Sequence, residues 1–167
     1  SCNEQLKSND KLKNNSTREV VDITPTLLTY ELPNIERQNS RNVIATKWGI
    51  KFLGVAGCVV SKELEDSVKT HNDKINQLIK KKYGSNWEAK FEKEVNAEFE
   101  KEKIITSVLD KVDFIKNKDD QMVKEGNGLH YFMTPIENST DYNVSVEGWG
   151  TINKNDAWVS YYRMTVN

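Results

Sequence analysis

The sequence predicts an α+β fold in which two long antiparallel helices pack on a mostly antiparallel sheet, with a β-rich C-terminus. Three observations carry this. Residues 61–83 repeat apolar side chains at helical spacing between a capping serine and a stop glycine, and residues 86–103 repeat the pattern. Residues 129–167 hold three runs of β-branched and aromatic side chains separated by turn chemistry. A chain of 167 residues suits one domain, whose core needs no metal or disulfide framework.

The first helix opens at Ser61, which can cap it, with Glu63, Glu65 and Asp66 in its first turns. Leu64, Val68, His71, Ile75, Leu78 and Ile79 form one stripe, and Gly84 stops the helix after Tyr83. Ser85-Asn86-Trp87-Glu88 reads as a capping box for the second helix. That helix turns Trp87, Phe91, Val95 and Phe99 inward and its Glu and Lys residues outward. Residues 104–115 continue it or form a third helix after a kink. Gly84-Ser85 leaves only a tight connection, which makes the two long helices an antiparallel pair.

Upstream, residues 19–32 have β-like content broken by Pro25. Residues 36–41 read as a polar loop. Ile44, Thr46, Trp48, Ile50 and Phe52 alternate, which predicts a strand over residues 42–52 that joins the C-terminal sheet. Gly54 and Gly57 predict a bulge or a close backbone approach. Residues 117–128 read as a charged loop. Strands follow over residues 129–136, 141–152 and 157–167, with residues 153–156 as the last hairpin turn.

Composition excludes several functions. Lys plus Arg (24) nearly cancel Asp plus Glu (25), so nothing favours nucleic acid, whose binders need a basic face. Lys80-Lys81-Lys82 falls at a helix C-terminus, where cations offset the dipole. The longest apolar run, Phe52 to Val60, is far short of the ~20 residues a membrane span requires and reads as a buried strand. No phosphate loop, zinc helix, nucleophile elbow, dinucleotide fingerprint or calcium loop is present, so neither a cofactor nor a metal is expected.

Two histidines limit the chemistry. His71 lies on the apolar stripe, and Asp73 two positions on points some 200° away, so His71 reads as structural. His130 shares a strand face with Phe132 and Thr134. With Glu125 or Asp141 as an orienting carboxylate it supports an alternative reading as the base of a small envelope hydrolase. Cys58 reads as a small core residue. The most suggestive feature is the C-terminal hairpin. Strict alternation sets Trp158, Tyr162 and Met164 on one face and Ala157, Val159, Tyr161 and Arg163 on the other. Trp149 lies opposite Val144 and Val146. Trp149, Trp158, Tyr161, Tyr162 and Arg163 are therefore the candidate contact residues for an unknown protein or small ligand, since Trp, Tyr and Arg dominate contact energetics.

Residues 1–17 lack hydrophobic periodicity and are rich in Asn, Lys and Ser, so they cannot offset their ordering entropy and read as a flexible tether to a domain over residues 18–167. Cys2 followed by such a tether resembles the mature start of a bacterial lipoprotein, with Ser1 as the small residue before the cut. The resemblance covers this terminus alone. It implies export, acylation at Cys2 and a cell-envelope location, with membrane contact only through that lipid. The combined expectation is a non-catalytic, envelope-anchored binding module. A further alternative is an intracellular immunity-type protein that meets its partner through the charged helices.

Overall fold

The computed structural model describes residues 24–30, 35–57, 60–152 and 155–167. Cys2, the tether, Cys58 and the centre of the last hairpin turn lie outside them. The fold is α+β, and its elements run β1 (Thr26–Tyr30), α1 (Ile35–Trp48), β2 (Lys51–Ala56), α2 (Lys62–Tyr83), α3 (Trp87–Leu109), α4 (Asp113–Lys124), β3 (His130–Pro135), β4 (Tyr142–Ile152) and β5 (Asn155–Val166).

The strands form two sheets instead of the single one expected. β1 and β2 pair in parallel, joined through α1, while β3, β4 and β5 form a separate antiparallel sheet in that order. The strand expected over residues 42–52 is thus corrected: through Trp48 the chain is helix α1, which also replaces the polar loop over residues 36–41. The alternation that suggested a strand is coincidental, because Thr46 is exposed. The buried residues are Ser40, Ile44, Ala45 and Trp48, which recur at helical spacing. Gly49, with φ 61°, ends the helix in a backbone region that favours glycine. β2 begins two residues later, and its register slips between Thr29 and Tyr30 of β1, so Val55 is the extra residue of the bulge that Gly54 foretold.

Ser61 caps α2 as expected, its hydroxyl accepting from the Leu64 amide at 3.3 Å. Gly84 follows at φ 92°. The capping box at Ser85–Glu88 does not form. α3 starts at Trp87 from Asn86, whose side chain makes no capping bond. α3 then runs unbroken to Leu109. The charged loop expected over residues 117–128 is instead largely helix α4, whose buried stripe consists of only Ile115 and Met122. A stripe that thin is easily read as no pattern at all.

Two hydrophobic cores result. The first gathers Leu27, Ile44, Trp48, Ile50, Ile79, Trp87, Phe91 and Val95 from β1, α1, the turn after α1, α2 and the N-terminal half of α3. Its rings stack closely: Trp48 meets Phe91 edge-on at 5.6 Å, and the Tyr83 hydroxyl donates to the Trp48 carbonyl. The second core places Leu109, Ile115, Tyr131, Met133, Tyr142, Val144 and Val146 between α3, α4 and the three-stranded sheet. From α2, Asn72 bonds both the amide and the carbonyl of Leu28 at 2.8 Å, and His71 Nε2 meets the Thr26 carbonyl at 2.8 Å. His71 thus has the structural place expected of it.

α3 belongs to both cores. Its apolar stripe, Trp87, Phe91 and Val95, continues as Glu98 and Glu102, which are only 6% and 5% exposed. These two glutamates correct the expectation that the Glu residues of this helix face outward. Glu102 accepts from Ser40 Oγ at 2.6 Å and from Asn39 Nδ2 at 2.8 Å. The same Asn39 amide donates to the Met133 carbonyl of β3 at 2.9 Å. Glu98 accepts from the Tyr142 hydroxyl at 2.9 Å, and Asp110 from that of Tyr131 at 2.5 Å. Carboxylates as deep as Glu98 and Glu102 are tolerable only when bonded, and each of the two has a donor from an element other than α3, whereas Asp110 is exposed.

Ser40→Ala leaves one oxygen of the buried Glu102 carboxylate without its hydroxyl donor, and it should cost about 1–3 kcal/mol of stability in urea unfolding. Burial, and then the bonds to Asp110 and Glu98, raise the Tyr131 and Tyr142 hydroxyls far above the ordinary tyrosine range. Above pH ~10 the unfolded chain gives up these protons while the folded chain keeps them, so stability present below that pH is lost as pH rises. A Tyr131→Phe, Tyr142→Phe double variant should be less stable at neutral pH yet show a shallower alkaline decline.

Candidate functional site

β3, β4 and β5 have one face against α3 and α4 and one face open. Side-chain alternation decides which residues reach each face, and one irregularity in β5 resets it. Val146 pairs with Tyr162 but Glu147 pairs with Ser160, so Tyr161 is an extra residue in a bulge. Before the bulge Trp158 and Ser160 point outward; after it Arg163 and Thr165 do. The strict alternation read from the sequence is corrected accordingly. Arg163 joins the face of Trp158, while Tyr162 and Met164 leave it.

Tyr161 and Tyr162 both lie on the helix side. Phe114 of α4 meets the Tyr162 ring edge-on at 5.0 Å, and the Tyr162 hydroxyl donates to the Phe114 carbonyl at 3.3 Å. The Lys118 ammonium sits 4.3 Å from the Tyr161 ring centre. Of the five expected contact residues, the structure brings Trp149, Trp158 and Arg163 to the open face and assigns the two tyrosines to packing.

The glycines flanking Trp149 explain its position. A Cβ on Gly148 would meet the Met122 side chain and, at 2.8 Å, the Gly128 carbonyl; one on Gly150 would run into the Tyr161 hydroxyl. The inner side of β4 has no room for side chains here, whereas Trp149 on the outer side is 48% exposed. It faces its cross-strand partner Trp158, 39% exposed, with ring centres 6.3 Å apart. Trp158 reaches across β4 to the other edge of the sheet, where it meets His130 at 5.3 Å and Phe132 at 6.1 Å.

A chain of hydrogen bonds fixes this platform. The Trp158 Nε1–H donates to Glu147 Oε2 at 2.6 Å, and Ser145 Oγ donates to Glu147 Oε1 at 2.6 Å. Ser145 and Ser160 hydroxyls lie 2.9 Å apart, and Arg163 Nε donates to Ser160 Oγ at 3.3 Å. Glu147 is the residue that reading the sequence missed. Its signal was the periodicity itself: it stands two residues before Trp149 and therefore on the same face. His130 lies opposite Glu147 in the ladder and stacks on Trp158, with no hydrogen bond to its ring among the described residues. Asp141 sits at the far end of β3–β4, where its carbonyl accepts from Ile136.

Two concave sites also occur. A groove of about 1310 Å3 runs between α1, α3 and the β3–β4 turn, lined in part by Val43, Ile104, Ile105, Ile136 and Tyr142. Glu98 borders it, but its carboxylate already joins the Tyr142 hydroxyl and, at 3.6 Å, the Lys101 ammonium. A smaller cavity of about 160 Å3 lies by Phe99, Asp110 and Tyr131. Neither includes a residue of the aromatic face. Among the described residues no helix is long and apolar enough to cross a membrane. Comparison with known proteins finds no matching family model, no similar curated protein and no similar solved structure.

Glu147→Ala removes the acceptor that orients Trp158. Stability should fall by about 1 kcal/mol or less, because the pair is partly wet. The tryptophan emission should nonetheless shift and its anisotropy drop as the ring is released. An unchanged emission spectrum would show that the carboxylate does not hold the ring.

Proposed function

We propose that this protein is a binding module whose contact surface is the open face of the β3–β4–β5 sheet. One observation carries the reading. Trp149 and Trp158 stay wet while a bonded carboxylate holds the second in a fixed orientation. Exposed tryptophan is costly in water, and a ring already fixed loses little further entropy when a partner covers it. The Arg163 guanidinium stands on the same face, with no ion pair among the described residues. An open aromatic surface with a fixed ring supports the reading of this site as a contact surface.

The second part of the proposal places the module at the cell envelope, held by a lipid on Cys2 through the polar tether. It is supported by the order of residues at the N-terminus alone: Ser1, Cys2, then a stretch without hydrophobic periodicity. Such a tether would let the sheet face sample the space around its anchor.

Immobilised protein should retain material from a detergent extract of bacterial envelopes, and a Trp149→Ala, Trp158→Ala variant of unchanged circular dichroism should not. Equal retention by both would remove the sheet face as the contact surface. Metabolic palmitate labelling of the full precursor should depend on Cys2, and labelling that survives Cys2→Ala would remove the anchor.

A further inference from the structure

We infer that the ligand of the aromatic face is a saccharide. A sugar ring stacks on one of the indoles of Trp149 and Trp158 and is flanked by the other, and its hydroxyls are held by Glu147 and Arg163. The inference rests on the reading of that face as the contact surface and adds the class of partner.

Size decides first. Within a sheet face whose strands run 6, 11 and 12 residues, the patch of rings and charges spans three strands and about five residues along each. With ~4.8 Å between strands and ~3.3 Å per residue, and side-chain margins added, it measures on the order of 15 Å by 17 Å, or roughly 250 Å2. A specific protein partner covers about 800 Å2 on each side, three times as much. The patch is the right size for one or two pyranose rings.

Shape decides next. Small apolar ligands are held in clefts that bury most of their surface. This face is open, and neither concave site includes it. The rings touch one another, Trp158 standing 5.3 Å from His130 and 6.3 Å from Trp149. No gap remains between aromatic walls for an ammonium group, which excludes a cation cage. What remains is an open aromatic surface whose two indole planes are inclined at 55°. A pyranose has one face of C–H groups and a rim of hydroxyls, so it can lie on indole and stay hydrated above.

The polar groups beside the platform match that rim. Each Glu147 oxygen accepts one bond from the protein, which leaves a lone pair on each for a ligand hydroxyl. Arg163 uses Nε on Ser160 and keeps both terminal nitrogens, with four N–H donors. Arg163 lies opposite Ser145 and Glu147 opposite Ser160, so donor fork and acceptor stand diagonally on neighbouring strands, roughly 7–8 Å apart at the backbone and within reach of one sugar through their long side chains. Adjacent hydroxyls of a sugar ring, each both donor and acceptor, can bridge such a pair. The carboxylate at the centre also disfavours a nucleic-acid strand, which would bring its phosphates against Glu147.

The test is a fluorescence titration of the intact protein with three probes: a glucose hexamer, an N-acetylglucosamine hexamer and a galacturonate oligomer. At least one should quench tryptophan emission saturably. Trp149→Ala and Trp158→Ala should each weaken that binding about tenfold or more, whereas Phe114→Ala, on the opposite face, should leave it unchanged. Binding that survives both tryptophan substitutions would overturn the assignment of the site. No response to any probe, with envelope retention that is still tryptophan-dependent and is abolished by treating the extract with protease, would overturn the saccharide and leave the contact surface standing. If the double tryptophan variant retains envelope material as well as the original, both readings fall.

Discussion

The fold depends on one helix serving two cores. α3 supplies Trp87, Phe91 and Val95 to the first and Leu109 to the second. Between them its inner stripe is carboxylate. A wholly apolar stripe would have fused the two cores into one slab with little to set their relative position. Hydrogen bonds are directional where hydrophobic contact is not, so Glu98 and Glu102 hold their partners at particular angles and distances. Asn39 extends the constraint, since one amide touches both the Glu102 carboxylate and the Met133 carbonyl. α1, α3 and β3 are therefore joined at one point through a single side chain, and the sheet that carries the aromatic face is aligned to the helices by polar contacts.

What was legible in the sequence followed from strong local patterns. α2 has a capping serine, a wide stripe and a positive-φ glycine, and the structure agrees to within a residue. The three C-terminal strands also agree closely, because β-branched alternation there has no helical rival. The failures have specific physical causes. In α1 the buried set includes Ser40, and a serine gives no hydrophobic signal. In α4 only two residues, Ile115 and Met122, seven apart, are buried, too few to give a helical pattern. The glutamates of α3 were read as surface residues because charge usually means exposure, and what reverses that is their partners on distant elements. Parallel pairing of β1 with β2 is equally non-local.

The aromatic face was half legible. Trp149 and Trp158 were found because tryptophan on both strands of a hairpin is conspicuous. Tyr162 and Arg163 fall on the faces opposite to those that straight alternation through residue 161 gives them, while Tyr161 keeps the face of Ala157 and Val159. A bulge adds one residue to one strand, and no composition rule marks it when the residue is a tyrosine. It is also what brings Arg163 beside the tryptophans. Without it the guanidinium would point at α4, and the open face would be aromatic with a lone carboxylate.

Asn72 and Asn39 share a further role. Asn72 meets both the amide and the carbonyl of Leu28, much as a neighbouring strand would, and Asn39 occupies the Met133 carbonyl on β3. Each amide stands at the outer border of a sheet. Exposed strand borders are templates on which other chains can pair, and proteins commonly blunt them. Here a single asparagine on a helix occupies one point on the border of each sheet. A chain that added a strand at either of these borders would first have to displace the asparagine, which disfavours the stacking of strand upon strand that begins fibrous aggregation.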